Sequence, residues 1–201
     1  MKERPILFSG PMVRAILEGR KTQTRRLMVP QIGDTTLKTL VNNDGDMEIR
    51  YLDPSKMDGV RWEVFVKGKY GKPGDRLWVR ETWGPCDGGA YYRASESPTV
   101  VPNGGKWKPS IHMPRWASRI TLEIESVRVE RLNAISEEDA IAEGVPPAIR
   151  PPQADEWDRR GLTWLPYTTE FRGGWEDING GGSWDLNPWV WVITFKRVEA
   201  K

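Results

Sequence analysis

The sequence predicts an α+β fold in which β-strands predominate and two short helices lie beside them. Apolar and polar residues alternate over 120–132, and the stretch 189–198 is largely apolar on both faces, as expected for a strand in the centre of a sheet. Apolar residues recur at helical spacing over 11–18. The stretch 136–143 begins with a serine and three acidic residues, which are typical of the first turn of a helix.

The chain begins with a short strand, predicted over 5–8, and the first helix follows it directly. Pro11 suits the first position of that helix, because its fixed φ angle is helical and its missing N–H is not needed there. Gly19 suits the C-terminal stop. The sequence therefore predicts a strand, one helix over 11–18 and a turn.

The turn after this helix carries the most informative residues of the chain. Residues 19–26 read Gly-Arg-Lys-Thr-Gln-Thr-Arg-Arg, and we expect them to deliver Lys21 and Thr24 to one open face. A lysine within reach of a hydroxyl is one way to activate a weak nucleophile. A solvated basic loop is the alternative interpretation, since charge runs usually lie in water.

Two loop-rich segments, 31–67 and 147–186, interrupt the run of strands. In the first, the stretches 47–52 and 62–67 are predicted to pair as a hairpin, because residues that form turns separate them. The second contains proline pairs, glycine clusters and several tryptophans. Its glycines are too irregular for a phosphate-binding loop, so we interpret it as a lid or packing flap.

A strong turn at 71–75 leads into another strand, which brings a carboxylate next to a tryptophan. Glu81 and Trp83 continue the face that Leu77 and Val79 begin. A carboxylate on an otherwise apolar face indicates a strand that runs from the core into a cleft. The alternative is a structural ion pair between Glu81 and an arginine.

The long strand over 120–132 and the helix after it place a second carboxylate. The alternation of the strand breaks near 125–126, which predicts a bulge. The helix over 136–143 stops at Gly144. Glu143 ends this helix, and we expect it to point across the edge of the apolar face rather than into the core.

Composition limits the class of protein. The chain has 201 residues, 38% of them apolar, which suits one domain with a normal core. No apolar run approaches the ~20 residues of a spanning helix, so we expect no membrane partner.

Cys86 is the only cysteine and His112 the only histidine, so we expect a reducing cytoplasm and no metal or other cofactor. The net charge of +2 favours a local basic rim over a long nucleic-acid track, and the oligomeric state stays open.

The pattern Gly-x-Lys-x-x-Thr-x-Arg at 19–26, after a strand and a short helix, resembles the signature of the ASCH domain, a relative of the PUA-like barrels that bind RNA. Three further stretches are similar to parts of that domain. They are the glycine–aspartate turn and strand at 73–81, the helical stretch at 132–144 and the closing strand at 189–198.

The resemblance implies a single domain over 1–201 with a PUA-like, partly closed β-barrel and flanking short helices. Its core would consist of about 5–30, 68–146 and 187–198, and the insertions would be about 31–67 and 147–186. Long members with this architecture are often encoded by phages.

Within the family, this Lys-x-x-Thr looks like that of the small N(4)-acetylcytidine amidohydrolases. By resemblance, their catalytic lysine, threonine and glutamate fall on Lys21, Thr24 and Glu143. Thr24 would attack the acyl carbonyl while Lys21 takes its proton, or Glu143 would activate water while Lys21 stabilises the oxyanion. A base at neutral pH requires that neighbouring arginines or desolvation lower the pKa of Lys21.

Four further residues are assigned to substrate binding. We expect Trp83 or Trp116 to stack on the base, a contact that many pyrimidines tolerate. Arg26 follows the motif and Glu81 leads toward the expected cleft, so both are predicted to contact the substrate.

Three functions are compatible with these residues. The first is a metal-independent amidohydrolase for N(4)-acylated cytidine or a related nucleoside amide. The second is a non-catalytic RNA-binding module, and the third is a nuclease of phage type. The small net charge and the concentration of arginines around one motif favour a free nucleoside, although the small amidohydrolases lack the two insertions, which could reshape the pocket.

Overall fold

The computed structural model describes residues 1–32, 37–41, 47–52, 63–95, 106–152, 155, 159–161 and 164–198. The strands are β1 (Glu3–Leu7), β2 (Gln23–Leu27), β3 (Leu37–Val41), β4 (Met47–Leu52), β5 (Glu63–Lys67), β6 (Arg76–Arg80), β7 (Trp83–Cys86), β8 (Gly89–Tyr92), β9 (Thr121–Arg131) and β10 (Trp189–Val198). The helices are α1 (Gly10–Leu17), α2 (Glu137–Ala142) and α3 (Pro166–Asn179), with 3-10 turns at Ser110–His112, Arg115–Ala117 and Leu132–Ala134.

A five-stranded mixed sheet in the order β1-β6-β9-β10-β2 forms the centre of the protein. Only β1 and β6 run parallel, and the other neighbours in this sheet are antiparallel. The strands β3-β4-β5 form a second sheet, and β7 pairs with β8. The α+β class is therefore confirmed. Among the described strands the central sheet is open, with β1 and β2 at its edges, so partial closure into a barrel stays a prediction.

The long strands β9 and β10 match the sequence pattern closely. Residues 190–193 of β10 are all buried, because β9 and β2 flank the strand on either side. The register of β9 against β10 shifts where Thr194 pairs with Ser126 and Phe195 with Ile124, which leaves Glu125 as the extra residue. The predicted central strand and the predicted bulge are both confirmed.

Two apolar clusters hold the helices against the central sheet. In the first, Val13 and Ile16 of α1 pack with Leu77, Ile193 and other sheet residues. The second joins α2 and its preceding turn to α3, and its buried members are Leu132, Ile135, Ala140, Phe171, Trp175, Trp184, Val190 and Val192. The two predicted helices are confirmed. Helix α1 buries the apolar stripe of Val13, Ala15 and Ile16, whereas α2 buries Ala140.

The two segments predicted to be insertions contain more regular structure than the sequence predicts. The predicted hairpin is present as β4 and β5, and β3 adds a third strand to it. Helix α3 lies within a segment expected to be rich in loops. Gly173 and Gly174 are poor helix formers, so packing of Phe171 and Trp175 on α2 decides its conformation.

The strand predicted to continue from Leu77 through Trp83 ends at Arg80 instead. Trp83 begins the separate β7–β8 hairpin, whose last β7 residue is Cys86. None of the helices in the described ranges has the length and apolarity needed to span a bilayer.

Gly144, just after α2, fixes how closely this helix approaches α1. Its φ angle is +80°, and a Cβ atom there would meet the Cβ of Lys21 at 2.7 Å and the Cβ of Ala15 at 2.9 Å. Gly74 also has a positive φ, +85°, but a Cβ there would meet nothing within 4 Å. The two glycines therefore share backbone strain and differ in crowding.

We expect Gly144→Ala to lower the free energy of unfolding by about 2–4 kcal/mol, because it adds crowding to the left-handed backbone cost. Gly74→Ala carries only the backbone cost and should lose about 1–2 kcal/mol. Urea denaturation of both variants measures the difference. Equal losses would show that α1 and α2 can separate without cost at Gly144.

Candidate active site

The turn that carries Lys21 is fixed between the two predicted helices. Gly19 ends α1 with a φ angle of +76°. The backbone N–H groups of Arg20 and Lys21 then donate to the carbonyl oxygen of Ala15, at 2.9 and 3.0 Å. The N–H of Thr22 donates to the carbonyl oxygen of Ala142 at 2.8 Å, which ties the turn to the end of α2. The start of β2 and the end of α2 are therefore held side by side.

Lys21 and Glu143 form a buried ion pair at this junction. The Nζ atom of Lys21 donates to Oε2 of Glu143 at 2.7 Å and to its backbone oxygen at 2.8 Å. The two side chains are only 1% and 4% exposed. Glu143 thus points inward at Lys21 rather than across the edge of the apolar face, because the backbone bond from Thr22 to Ala142 holds the end of α2 beside the start of β2.

Burial lowers the pKa of Lys21 below its ordinary value, since desolvation disfavours the charged ammonium. Glu143 opposes this shift through its charge and its hydrogen bond, whereas Arg26 and Arg25 reinforce it by like charge. The net direction is the one that a lysine base working near neutral pH requires.

Arg25 holds the other side of the Glu143 carboxylate. Its guanidinium donates to Oε1 of Glu143 at 3.3 Å, to Glu130 at 2.5 Å and to Asp139 at 2.7 Å, and its side chain is fully buried. Arg128 contacts Glu130 and Asp139 from the opposite side. Three carboxylates and two arginines therefore form one connected network below the lysine.

Asp139 joins helix α2 to strand β2 within this network. Its Oδ1 accepts a hydrogen bond from Gln23 at 3.0 Å, and its N–H donates to the hydroxyl of Ser136, which caps the helix. Burial opposes ionisation of Asp139, but the hydrogen bonds and charges of Gln23, Arg25 and Arg128 outweigh it and lower the pKa of the carboxyl.

Arg26 points toward Phe8, away from this network. One Nη donates to the carbonyl oxygen of Leu7 at 2.5 Å, and the guanidinium carbon lies 5.1 Å from the centre of the Phe8 ring. Nζ of Lys21 lies 5.6 Å from the same ring. Desolvation lowers the pKa of Arg26, while Tyr70 and Glu143 act in the opposite direction.

A cavity of about 370 Å³ opens onto these residues. Its wall includes Lys21, Thr24, Arg25, Arg26 and Glu143, together with Met12, Phe171 and Trp175. Nε of Arg26 and Nε1 of Trp175 are buried and have no hydrogen-bond partner in the described part of the chain. Buried donors normally find an acceptor, so the wall suits a ligand that carries carbonyl-type oxygens.

The structure thus brings four of the seven predicted site residues to one cavity: Lys21, Thr24, Glu143 and Arg26. Sequence reasoning placed Trp175 among the tryptophans of a segment that could cover a cleft, but it did not identify Phe171 or the helix that carries both residues. Their i, i+4 spacing was the available signal, but the glycines between and after them obscured it.

Glu81 lies elsewhere, in an ion pair with Arg119. Nε and Nη2 of Arg119 donate to the two carboxylate oxygens at 2.9 and 3.0 Å, which is the structural pairing left open by the sequence. Glu81 lines a neighbouring cavity of about 310 Å³ together with Arg14 and Arg93. Its role in substrate binding stays a prediction.

Trp83 and Trp116 also lie outside the 370 Å³ cavity. Trp83 is buried against Met113 and Ala117, and Trp116 meets it edge to face at 5.6 Å between ring centres. Trp116 itself is 66% exposed. The two rings are displaced because β6 ends at Arg80 and the chain then folds into the β7–β8 hairpin.

Within the described ranges, no group of three or more histidine, cysteine, aspartate or glutamate side chains could hold a metal ion. The absence of any other cofactor stays a prediction from the sequence.

No family model matches the chain, and no curated protein matches it. Among solved structures, it is similar to an ASCH domain from Lactobacillus crispatus. The sequence identity is 12%, the TM-score is 0.38, and the alignment covers 98% of this chain and 79% of that chain. A TM-score at this level does not establish a shared fold, so the site is interpreted from its own residues.

We expect Asp139→Asn to lower the free energy of unfolding at pH 7 by about 1–3 kcal/mol, because it removes a carboxylate that two arginines contact. The lowered pKa of Asp139 means that its ionised form stabilises the fold above the ordinary carboxyl range, about pH 4, and that this stabilisation is lost as the pH falls below it. The variant should therefore lose less stability than the wild type on acidification.

Urea denaturation at pH 7 and at about pH 3.5 measures both effects. Asp185→Asn is the matched control, since Asp185 pairs with Arg172 at the surface and such pairs contribute little. An acid sensitivity of Asp139→Asn equal to that of the wild type would contradict the role given to Asp139.

Proposed function

We propose that the chain hydrolyses the amide bond of an N(4)-acylated cytidine or a related nucleoside amide in the 370 Å³ cavity. One observation carries the proposal: a buried lysine with a lowered pKa is paired to Glu143, and the hydroxyl-bearing Thr24 lines the same cavity wall. A lysine base next to a hydroxyl nucleophile is a known arrangement for acyl transfer.

The two hydrogen bonds of Lys21 leave room for a neutral amine in the working state. A neutral amine has two N–H groups and one lone pair. Lys21 donates to the carboxylate and to the backbone oxygen of Glu143, which accounts for both N–H groups. The lone pair then remains for the hydroxyl proton of Thr24, because both residues line the same cavity.

In the proposed reaction, Oγ1 of Thr24 attacks the acyl carbon and its proton passes to the amine of Lys21. The tetrahedral intermediate collapses with cleavage of the C–N bond, and the Lys21 ammonium returns the proton to the leaving exocyclic nitrogen. Water then hydrolyses the threonyl ester with Lys21 again as the base. Glu143 positions Lys21 through their direct hydrogen bond, while Arg25 restrains the carboxylate.

A second scheme uses the same residues in other roles. Glu143 would activate water directly, while the Lys21 ammonium stabilises the oxyanion. Thr24 would then serve only to shape the cavity. The two schemes differ in whether the Thr24 hydroxyl is needed.

The size and polarity of the cavity support a small ligand. Sites for small molecules commonly enclose roughly 300–1,000 Å³ and are mostly apolar with a few placed polar groups. The cavity of about 370 Å³ lies at the lower end of this range, and Phe171 and Trp175 contribute its aromatic wall. A single nucleoside fits such a space better than a folded polymer.

Non-catalytic RNA binding is the second candidate, and the exposed ring of Trp116 favours it. Trp116 follows Arg115 in a short turn, and an exposed aromatic ring beside a cation can stack a base. Titration with single-stranded RNA at 50 and 200 mM salt tests this function. Tight binding that weakens steeply with salt, together with no turnover of acylated cytidine, would favour it over hydrolysis.

We expect the purified protein to deacylate N(4)-acetylcytidine, as followed by absorbance, and Thr24→Val to reduce kcat by a factor of about 100 or more. Thr22→Val is the matched control, because Thr22 lies two residues away with an exposed side chain and should keep its activity. Lys21→Arg should also abolish turnover, since a guanidinium does not lose its proton in proteins. Full activity of Thr24→Val would favour the scheme in which Glu143 activates water.

The pH dependence of kcat should show a limb that rises with pH, because Lys21 must lose its proton to act as a base. This limb should lie below the ordinary lysine pKa of about 10.4, since burial lowers the pKa of Lys21. Glu143 raises that pKa, so Glu143→Gln should move the limb to lower pH. If Glu143→Gln abolishes turnover at every pH instead, Glu143 is the base.

A further inference from the structure

One face of α3 forms part of the wall of the cavity that Lys21 and Thr24 also line. The cavity residues of this helix are Glu170, Phe171, Gly174, Trp175, Asp177 and Ile178, with Asn179 at its end. They recur at the spacing of one helical face. Two of them, Glu170 and Asp177, are carboxylates with exposed side chains.

Helix α3 is held firmly in this position. Phe171 and Trp175 are buried against the end of the central sheet together with Trp184. At the start of the helix, the carboxylate of Glu137 on α2 accepts hydrogen bonds from the backbone N–H groups of Tyr167 at 3.2 Å and Thr168 at 2.8 Å. The position of the two carboxylates is therefore set by the fold.

The charged residues of the cavity wall differ in whether they are paired. Lys21 and Arg25 are paired with Glu143, whereas Arg26 donates to the backbone oxygen of Leu7 and forms no ion pair in the described part of the chain. Within the described ranges, neither Glu170 nor Asp177 forms an ion pair or a hydrogen bond, so both carboxylates are open to a ligand. The open side of the cavity thus presents negative charge.

The position of the reacting amide determines which part of the ligand lies near Glu170 and Asp177. In the proposed reaction the amide lies against Lys21 and Thr24, which are buried, so the sugar end of the nucleoside extends toward the exposed side of the cavity wall, where Glu170 and Asp177 lie. Sugar hydroxyls can donate hydrogen bonds to carboxylates. A phosphate group at the same place would be repelled, because unpaired like charges that are brought together weaken binding.

We propose that Glu170 and Asp177 determine specificity by excluding phosphorylated ligands, so that the site takes a free nucleoside and rejects its 5′-monophosphate or a polynucleotide. This inference rests on the proposed function for the orientation of the ligand. It assigns to α3 a role in selecting the substrate, separate from the chemistry at Lys21.

Calorimetric titration with cytidine and with cytidine 5′-monophosphate tests the proposal without requiring turnover. The wild type should bind cytidine about tenfold or more tightly than the monophosphate at low salt, and added salt should reduce this preference. The double variant Glu170→Gln/Asp177→Asn should bind the two ligands within about twofold of each other. Glu176→Gln is the matched control, because Glu176 is on the same helix but contacts Arg172 and does not line the cavity.

The proposal would be overturned if the double variant still preferred cytidine over the monophosphate. It would also be overturned if the wild type bound both ligands equally or bound neither. The assay with N(4)-acetylcytidine separates this result from the proposed activity. Selective binding that the double variant loses, without turnover by the wild type, would support the role of α3 and refute the hydrolase.

Discussion

Placing Lys21 and Glu143 together out of water is the constraint on which the rest of the site depends. Removing two charges from water is costly, and it is tolerated only where each is paired and hydrogen-bonded with good geometry. Lys21 meets this condition by donating to both the side chain and the backbone of Glu143. The turn after α1, the start of β2 and the end of α2 must therefore meet at one point, and the backbone bond from Thr22 to Ala142 holds them there.

The surrounding charges extend this constraint into the sheet. Gln23 and Arg25 lie two residues apart and face one side of β2, while Asp139 and Glu143 lie four residues apart on one face of α2 and its end. Two side chains spaced two residues apart on the strand therefore face two side chains spaced four residues apart on the helix. Arg25 contacts both carboxylates. Arg128 of β9 balances the remaining negative charge. The network keeps Glu143 from rotating away from Lys21, which any role as a positioning group or a base requires.

Helix α3 supplies part of the wall of the 370 Å³ cavity. Phe171 and Trp175 line the cavity together with Lys21 and Thr24, so part of the wall would be missing without them. The helix belongs to a segment outside the part of the chain that resembles the ASCH signature. The residues proposed for catalysis and those proposed to meet the rest of the ligand therefore come from different parts of the sequence, so the second set can vary without disturbing the ion pair.

The sequence by itself determined the elements whose residues contact near neighbours. The period and end signals of α1 and α2, the alternation and bulge of β9, and the apolar faces of β10 are local patterns, and the structure follows them. The contact of Glu143 with Lys21 across 122 residues was expected only from the resemblance of the motif at 19–26 to a known family. The tertiary structure alone decided that Arg119 pairs with Glu81 and that Trp83 begins a separate hairpin. No local period encodes these contacts, because each depends on how packed elements orient and on which buried charge must find a partner.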